Sequence, residues 1–143
     1  MKKKTLGLFL VLSLAYIIYS HNYSFNVGEC VRHAEQHALP KSHTCCAWFV
    51  MRALQAGGCP IPIAPAYAYR KIMPMYGFKK VKGNLLYGDI VVFPAVKGHP
   101  WGHVVIWNGK QWISDFKQNS IFPALAYRQA DYIVFRHEGL FLK

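Results

Sequence analysis

Acidic side chains are scarce in this chain: 6 Asp and Glu stand against 17 Lys and Arg, giving a formal net charge of +11. So little acid leaves few positions for a catalytic carboxylate. Internal repeats, low-complexity tracts and linkers are also missing, which excludes a solenoid and, at 143 residues, a two-domain arrangement. Zinc-finger spacing, a basic helix and an RNA-binding aromatic motif are absent, so the charge does not point to nucleic acid. No apolar run reaches the ~20 residues of a spanning helix. The longest, Leu6 to Tyr19, has fourteen residues.

What is present begins with that run. Met1-Lys2-Lys3-Lys4 followed by Leu6 to Tyr19 reads as a secretory signal peptide, with a retained N-terminal membrane anchor as the alternative. Either reading assigns residues 1–20 to a leader and makes residues 21–143 an exported domain, periplasmic or extracellular. Loss of Lys2, Lys3 and Lys4 with a leader lowers the charge by only three. The remaining domain is basic enough to associate with anionic cell-wall polymers or lipid head groups.

Four cysteines in an oxidising compartment invite a disulfide. The stretch Thr44-Cys45-Cys46-Ala47 to Gly57-Gly58 predicts one helix, with Ala47, Val50, Ala53 and Leu54 at helical spacing. Thr44 is the expected N-cap and the glycine pair the stop. Cys45 and Cys59 would then lie about 18 Å apart along the helix, beyond disulfide reach. Residues 28–39 read as a preceding antiparallel helix, which favours Cys30 with Cys59. Cys46 falls in the first turn, where free N–H groups and the helix dipole favour a thiolate. The plainer alternative is a small buried hydrophobe.

The second half changes period. Asp89-Ile90-Val91-Val92-Phe93 predicts a buried strand, Gly102 to Trp107 a second, Gln111 to Phe116 its hairpin partner and Tyr132 to Arg136 the last. Gly77 to Val81 reads as a lysine-guarded edge. Helices followed by an antiparallel sheet make the class α+β. Among seven histidines, His103 stands out as a titratable residue opening an apolar strand. Asp115 is the acid close to it across the Asn108-Gly109 turn. A two-residue turn pairs 103 with 114 and sends Asp115 to the other face; a three-residue turn pairs 103 with 115. If Asp115 lies elsewhere, Gln118 is the polar group available to orient the histidine.

The order Cys46-Ala47 at a helix start, Gly88-Asp89-Ile90-Val91-Val92-Phe93, Gly102-His103-Val104-Val105, then Ser114-Asp115, resembles the CHAP family. These are cysteine, histidine-dependent amidohydrolases/peptidases within the NlpC-like, papain-fold group of cell-wall hydrolases. The resemblance implies a papain-like domain over 21–143, its N-terminal helices packed on a small antiparallel sheet. It also implies Cys46 as nucleophile, His103 as base, Asp115 as orienting group and Asp89 as structural. Cys45 is the competing nucleophile, though the Cys-Ala pair aligns with Cys46.

The implied function is an exported peptidoglycan hydrolase, cutting amide bonds of the peptide part by acyl transfer without metal or organic cofactor. Its roles span wall remodelling, lysis and antibacterial attack, and an inhibitor or immunity protein is a candidate partner. The competing reading is a non-catalytic basic module that grips cell wall or membrane surface. Membrane contact otherwise runs only through residues 1–20.

Overall fold

Asn26 opens the first helix of the computed structural model, which describes residues 23–141. Its side-chain carbonyl accepts from the Glu29 N–H at 3.0 Å, and α1 runs Val27–His37. α2 spans Cys46–Ala56 and closes at Gly57. The Asn26 N–H donates to the Gly57 carbonyl at 2.8 Å. That bond ties the start of α1 to the end of α2, the antiparallel arrangement expected of two helices with a short connection. The leader expected over residues 1–20 lies outside the described residues. Among those described, no helix is long and apolar enough to cross a membrane.

A third, short helix α3 (Tyr69–Ile72) sits between two 3-10 turns. The six strands are β1 (Phe78–Val81), β2 (Ile90–Phe93), β3 (His103–Trp107), β4 (Trp112–Ile113), β5 (Lys117–Gln118) and β6 (Ile133–His137). They form one sheet in the order β1-β6-β2-β3-β4-β5, and every pair is antiparallel. The class is α+β. The expected edge strand is indeed an edge, with Lys79 and Lys80 exposed.

β2 is buried along its whole length because both faces are covered. Ile90 and Val92 join the α1 and α2 side chains Val31, Val50, Ala53 and Leu54 in the larger core. Val91 and Phe93 face the other way, with Val105, Trp112 and Tyr127. Asp89, immediately before β2, is fully buried and paired with Arg136 of β6. Arg136 Nε meets Oδ1 at 2.8 Å and Nη2 meets Oδ2 at 2.7 Å, a two-pronged pair that locks two central strands.

The four cysteines are free thiols, so Cys30 and Cys59 are unbridged. Both are nonetheless buried in the larger core, and a Cβ built on Gly57 would meet the Cys30 Cβ at 2.9 Å.

Candidate active site

The N-terminus of α2, the start of β3, the β4–β5 turn and the loop 94–102 converge on a cleft of about 810 Å³. Cys45, Cys46, His103, Asp115 and Tyr127 all line it. Cys46 is the first residue of α2. Its N-cap is Cys45, which makes no side-chain capping bond. The expected cap, Thr44, instead has φ 59 and turns its hydroxyl to the His43 carbonyl at 2.6 Å. A first-turn position does not by itself give a thiolate here. Burial pushes the Cys46 thiol up to about 11, and backbone hydrogen bonds from Val104 and Ala47 only partly oppose that rise.

His103 is nearly enclosed and pairs with Phe93 across β2. Gly102, just before it, has φ +70, and a Cβ there would meet the Phe93 carbonyl oxygen at 2.5 Å. A glycine is therefore required for the histidine to enter the sheet where it does. Its Nε2 lies 2.8 Å from Gln118 Oε1. The Gln118 amide nitrogen donates to the Ser120 carbonyl at 3.2 Å, which fixes the oxygen end of the amide toward the ring. An acceptor at that point assigns the ring proton to Nε2 and leaves Nδ1 with the free lone pair. Burial holds the imidazole down at about 4, against the smaller opposing effects of Gln118 and the Asp115 charge. At neutral pH the site thus holds a neutral thiol and a neutral imidazole.

Asp115 occupies a different place from the one its spacing implied. The β3–β4 pairing is Ile106 with Ile113 and Trp107 with Trp112, so the turn has four residues. Asn108 closes it: its N–H reaches the Gln111 carbonyl at 3.1 Å, and its Oδ1 accepts from the Lys110 and Gln111 N–H groups. Neither expected register forms. β4 stops after Ile113, and Asp115 sits in the turn that leads into β5. Oδ2 accepts from the N–H of His43 at 2.7 Å and of Cys45 at 3.4 Å, and from Ser42 Oγ at 3.3 Å. Burial pushes its carboxyl up, but those backbone N–H groups and the Ser114 hydroxyl bring it below the usual carboxylate value. Among the described residues no hydrogen bond joins Asp115 to His103; the ring's partner is Gln118. Ser114 Oγ lies 3.1 Å from Asp115 Oδ1 and 2.8 Å from Gln118 Oε1, linking the two.

No family model and no curated protein matches this chain. Two solved structures do, the native and the SeMet forms of the type VI effector–immunity complex Tae3–Tai3 from Ralstonia pickettii. The first shares 32% identity and a TM-score of 0.76, covering 79% of this chain and 99% of that one. The second shares 32% identity and a TM-score of 0.71, covering 76% and 99%. The chain belongs to the Tae3 family of type VI effectors.

In this Tae3-family chain the three residues singled out by sequence, Cys46, His103 and Asp115, all line the one cleft; among the described residues no hydrogen bond joins Cys46 to His103, and Asp115 makes contacts other than those expected. Tyr127 joins them without a sequence signal, as an aromatic in a long connection; Ser114, half of the Ser114-Asp115 pair, is buried and bonds both Asp115 and Gln118. His33 and His37 stack on each other at 3.9 Å on α1. No group of three potential ligands among the described residues could hold a metal ion.

Proposed function

We propose that this chain is an exported effector hydrolase that cleaves amide bonds in the peptide part of peptidoglycan by cysteine acyl transfer, on a papain-like scaffold akin to the NlpC group. The observation that carries the reading is a thiol at a helix start sharing one cleft with an oriented, neutral imidazole, in a chain of the Tae3 effector family. His103 Nδ1 takes the Cys46 proton as the sulfur attacks the amide carbonyl. The Cys46 N–H, one of the unpaired amides of the first turn, faces the developing oxyanion. His103 then returns the proton to the leaving amine, and water attacks the thioester to restore the thiol. Gln118 holds the ring in the useful tautomer, while Asp115 holds the loop that carries the nucleophile.

A high resting thiol pKa and a low imidazole pKa suit a base that draws the proton only as substrate arrives, in place of a standing ion pair. The effector–immunity neighbours support an immunity protein as partner, and the basic surface suits an anionic wall polymer. Export rests on the leader residues 1–20.

Digestion of peptidoglycan by the purified chain, with mass analysis of the fragments, tests this. New amine and carboxyl ends should appear with the wild type and fall at least about 1000-fold with Cys46→Ala. Wall that stays intact while the protein sediments with it would sink the enzyme reading in favour of the binding module.

A further inference from the structure

The cleft holds one buried polar group that neither the hydrolytic scheme nor the folding of the chain accounts for. Most of the enclosed polar side chains around it are committed. Ser42 serves Asp115, Asp115 holds the 43–45 backbone, and His103 is bound by Gln118. Tyr127 is 1% exposed and lines the same cleft, yet among the described residues its hydroxyl has no hydrogen-bond partner. No fully enclosed side-chain oxygen or nitrogen among those residues is left unsatisfied, so the phenol oxygen keeps a small exposed area, in a residue that lines the cleft.

Its ring is fixed from several sides. Tyr127 ends the 3-10 turn Leu125–Tyr127. It packs edge-on against Phe93 with centroids 5.1 Å apart, and its centroid lies 6.1 Å from that of His103. The backbone is held as well, by Tyr127 N–H to the Ala124 carbonyl at 3.1 Å and Ala130 N–H to the Tyr127 carbonyl at 3.0 Å. A rigid aromatic with an unengaged O–H beside a nucleophile is a preorganised donor.

We infer that Tyr127 is a further catalytic residue, its Oη donating a hydrogen bond to the oxyanion formed when Cys46 attacks the scissile carbonyl. The cleft wall is otherwise mostly apolar here, with Ile63, Ala64, Pro65, Ala66, Pro123 and Ala124 around it. A carbonyl oxygen entering such a wall loses water, and its growing charge needs a second donor beside the Cys46 N–H. Burial, and then the nearby Cys46 charge, push the phenol up to about 12, so it keeps its proton wherever the enzyme works. The oxyanion gains a hydrogen bond, and no proton changes owner in the step.

This rests on the hydrolase reading, and the experiment separates the two. Tyr127→Phe keeps the ring and its packing and deletes only the hydroxyl. With rates normalised to titrated Cys46 thiol, kcat should fall about 100-fold while KM stays within about threefold. A peptide aldehyde that forms a tetrahedral adduct on Cys46 should lose affinity by a similar factor, whereas the uncleaved amide should not. Wild-type kcat in Tyr127→Phe, or a rise in KM alone, overturns the oxyanion assignment and leaves the hydrolase standing. A wild-type chain with no Cys46-dependent turnover overturns both.

Discussion

Asp89 and Asp115 are equally hidden, at 0% and 1% exposure, and are held in opposite ways. Asp89 meets a guanidinium through both oxygens and also accepts from the Leu86 N–H at 2.8 Å. Among the described residues Asp115 has no cation; its charge is carried by backbone amides and two hydroxyls. A guanidinium ties one strand to another, so the first carboxylate belongs to the sheet. Amides tie a side chain to a loop, so the second belongs to the segment that presents Cys46. Burial alone does not distinguish the two carboxylates, but the identity of their partners does.

The largest effect should come from the sheet side. Asp89→Ala takes the carboxylate from Arg136, leaving it the Asn84 carbonyl, and should cost about 3–5 kcal/mol in denaturant unfolding. The activity of whatever remains folded should change little. A loss under 1 kcal/mol would mean the pair is not the clasp described here.

Acid should test the cleft side next. His103 is held at about 4 when folded, against ~6.5 in an unfolded chain. Between those values the unfolded chain takes up a proton that the folded one refuses, so stability falls as pH drops from 6.5 to 4, by about 3 kcal/mol in total. The lowered carboxyl of Asp115 adds a loss of the same sign at still lower pH. Thermal midpoints from pH 7 to 4 should drop less steeply in His103→Gln, and identical slopes would show that the ring does not resist protonation.

Asp115→Ala should reverse the Asp89 pattern. It frees small, water-accessible amides, so the stability cost is about 1–3 kcal/mol, while kcat/KM drops about 100-fold as the 42–45 loop loses its anchor. The comparison breaks if Asp115→Ala unfolds the protein more than Asp89→Ala does. Smallest of all should be Cys45→Ser. The Cys45 thiol makes only a 3.8 Å contact with Asp115 Oδ2, so kcat should stay within about threefold and stability within ~0.5 kcal/mol.

Much of this arrangement is legible in the residues. The periodic face of α2 and the unbroken apolar run of β2 follow from spacing, and the Gly102-His103 misfit marks the buried imidazole of the cleft. The hairpin register is not legible, because Asn108 captures two backbone N–H groups and lengthens a turn that Asn-Gly alone would keep short. That shift ends β4 early and turns Asp115 toward His43, leaving Gln118 at the imidazole. The thiol's protonation also escapes sequence reasoning, since a helix start favours the anion but the depth of the site outweighs it.

Thr44 carries a consequence of its own. A β-branched residue at φ 59 holds a torsion that costs on the order of 1–3 kcal/mol, and it does so two residues before Cys46. The segment is wound against its own preference and kept so by Ser42 and Asp115, which leaves it no slack. A redesign that ranked substitutions by stability alone would put glycine at this position first, and would thereby slacken the backbone that leads into Cys46.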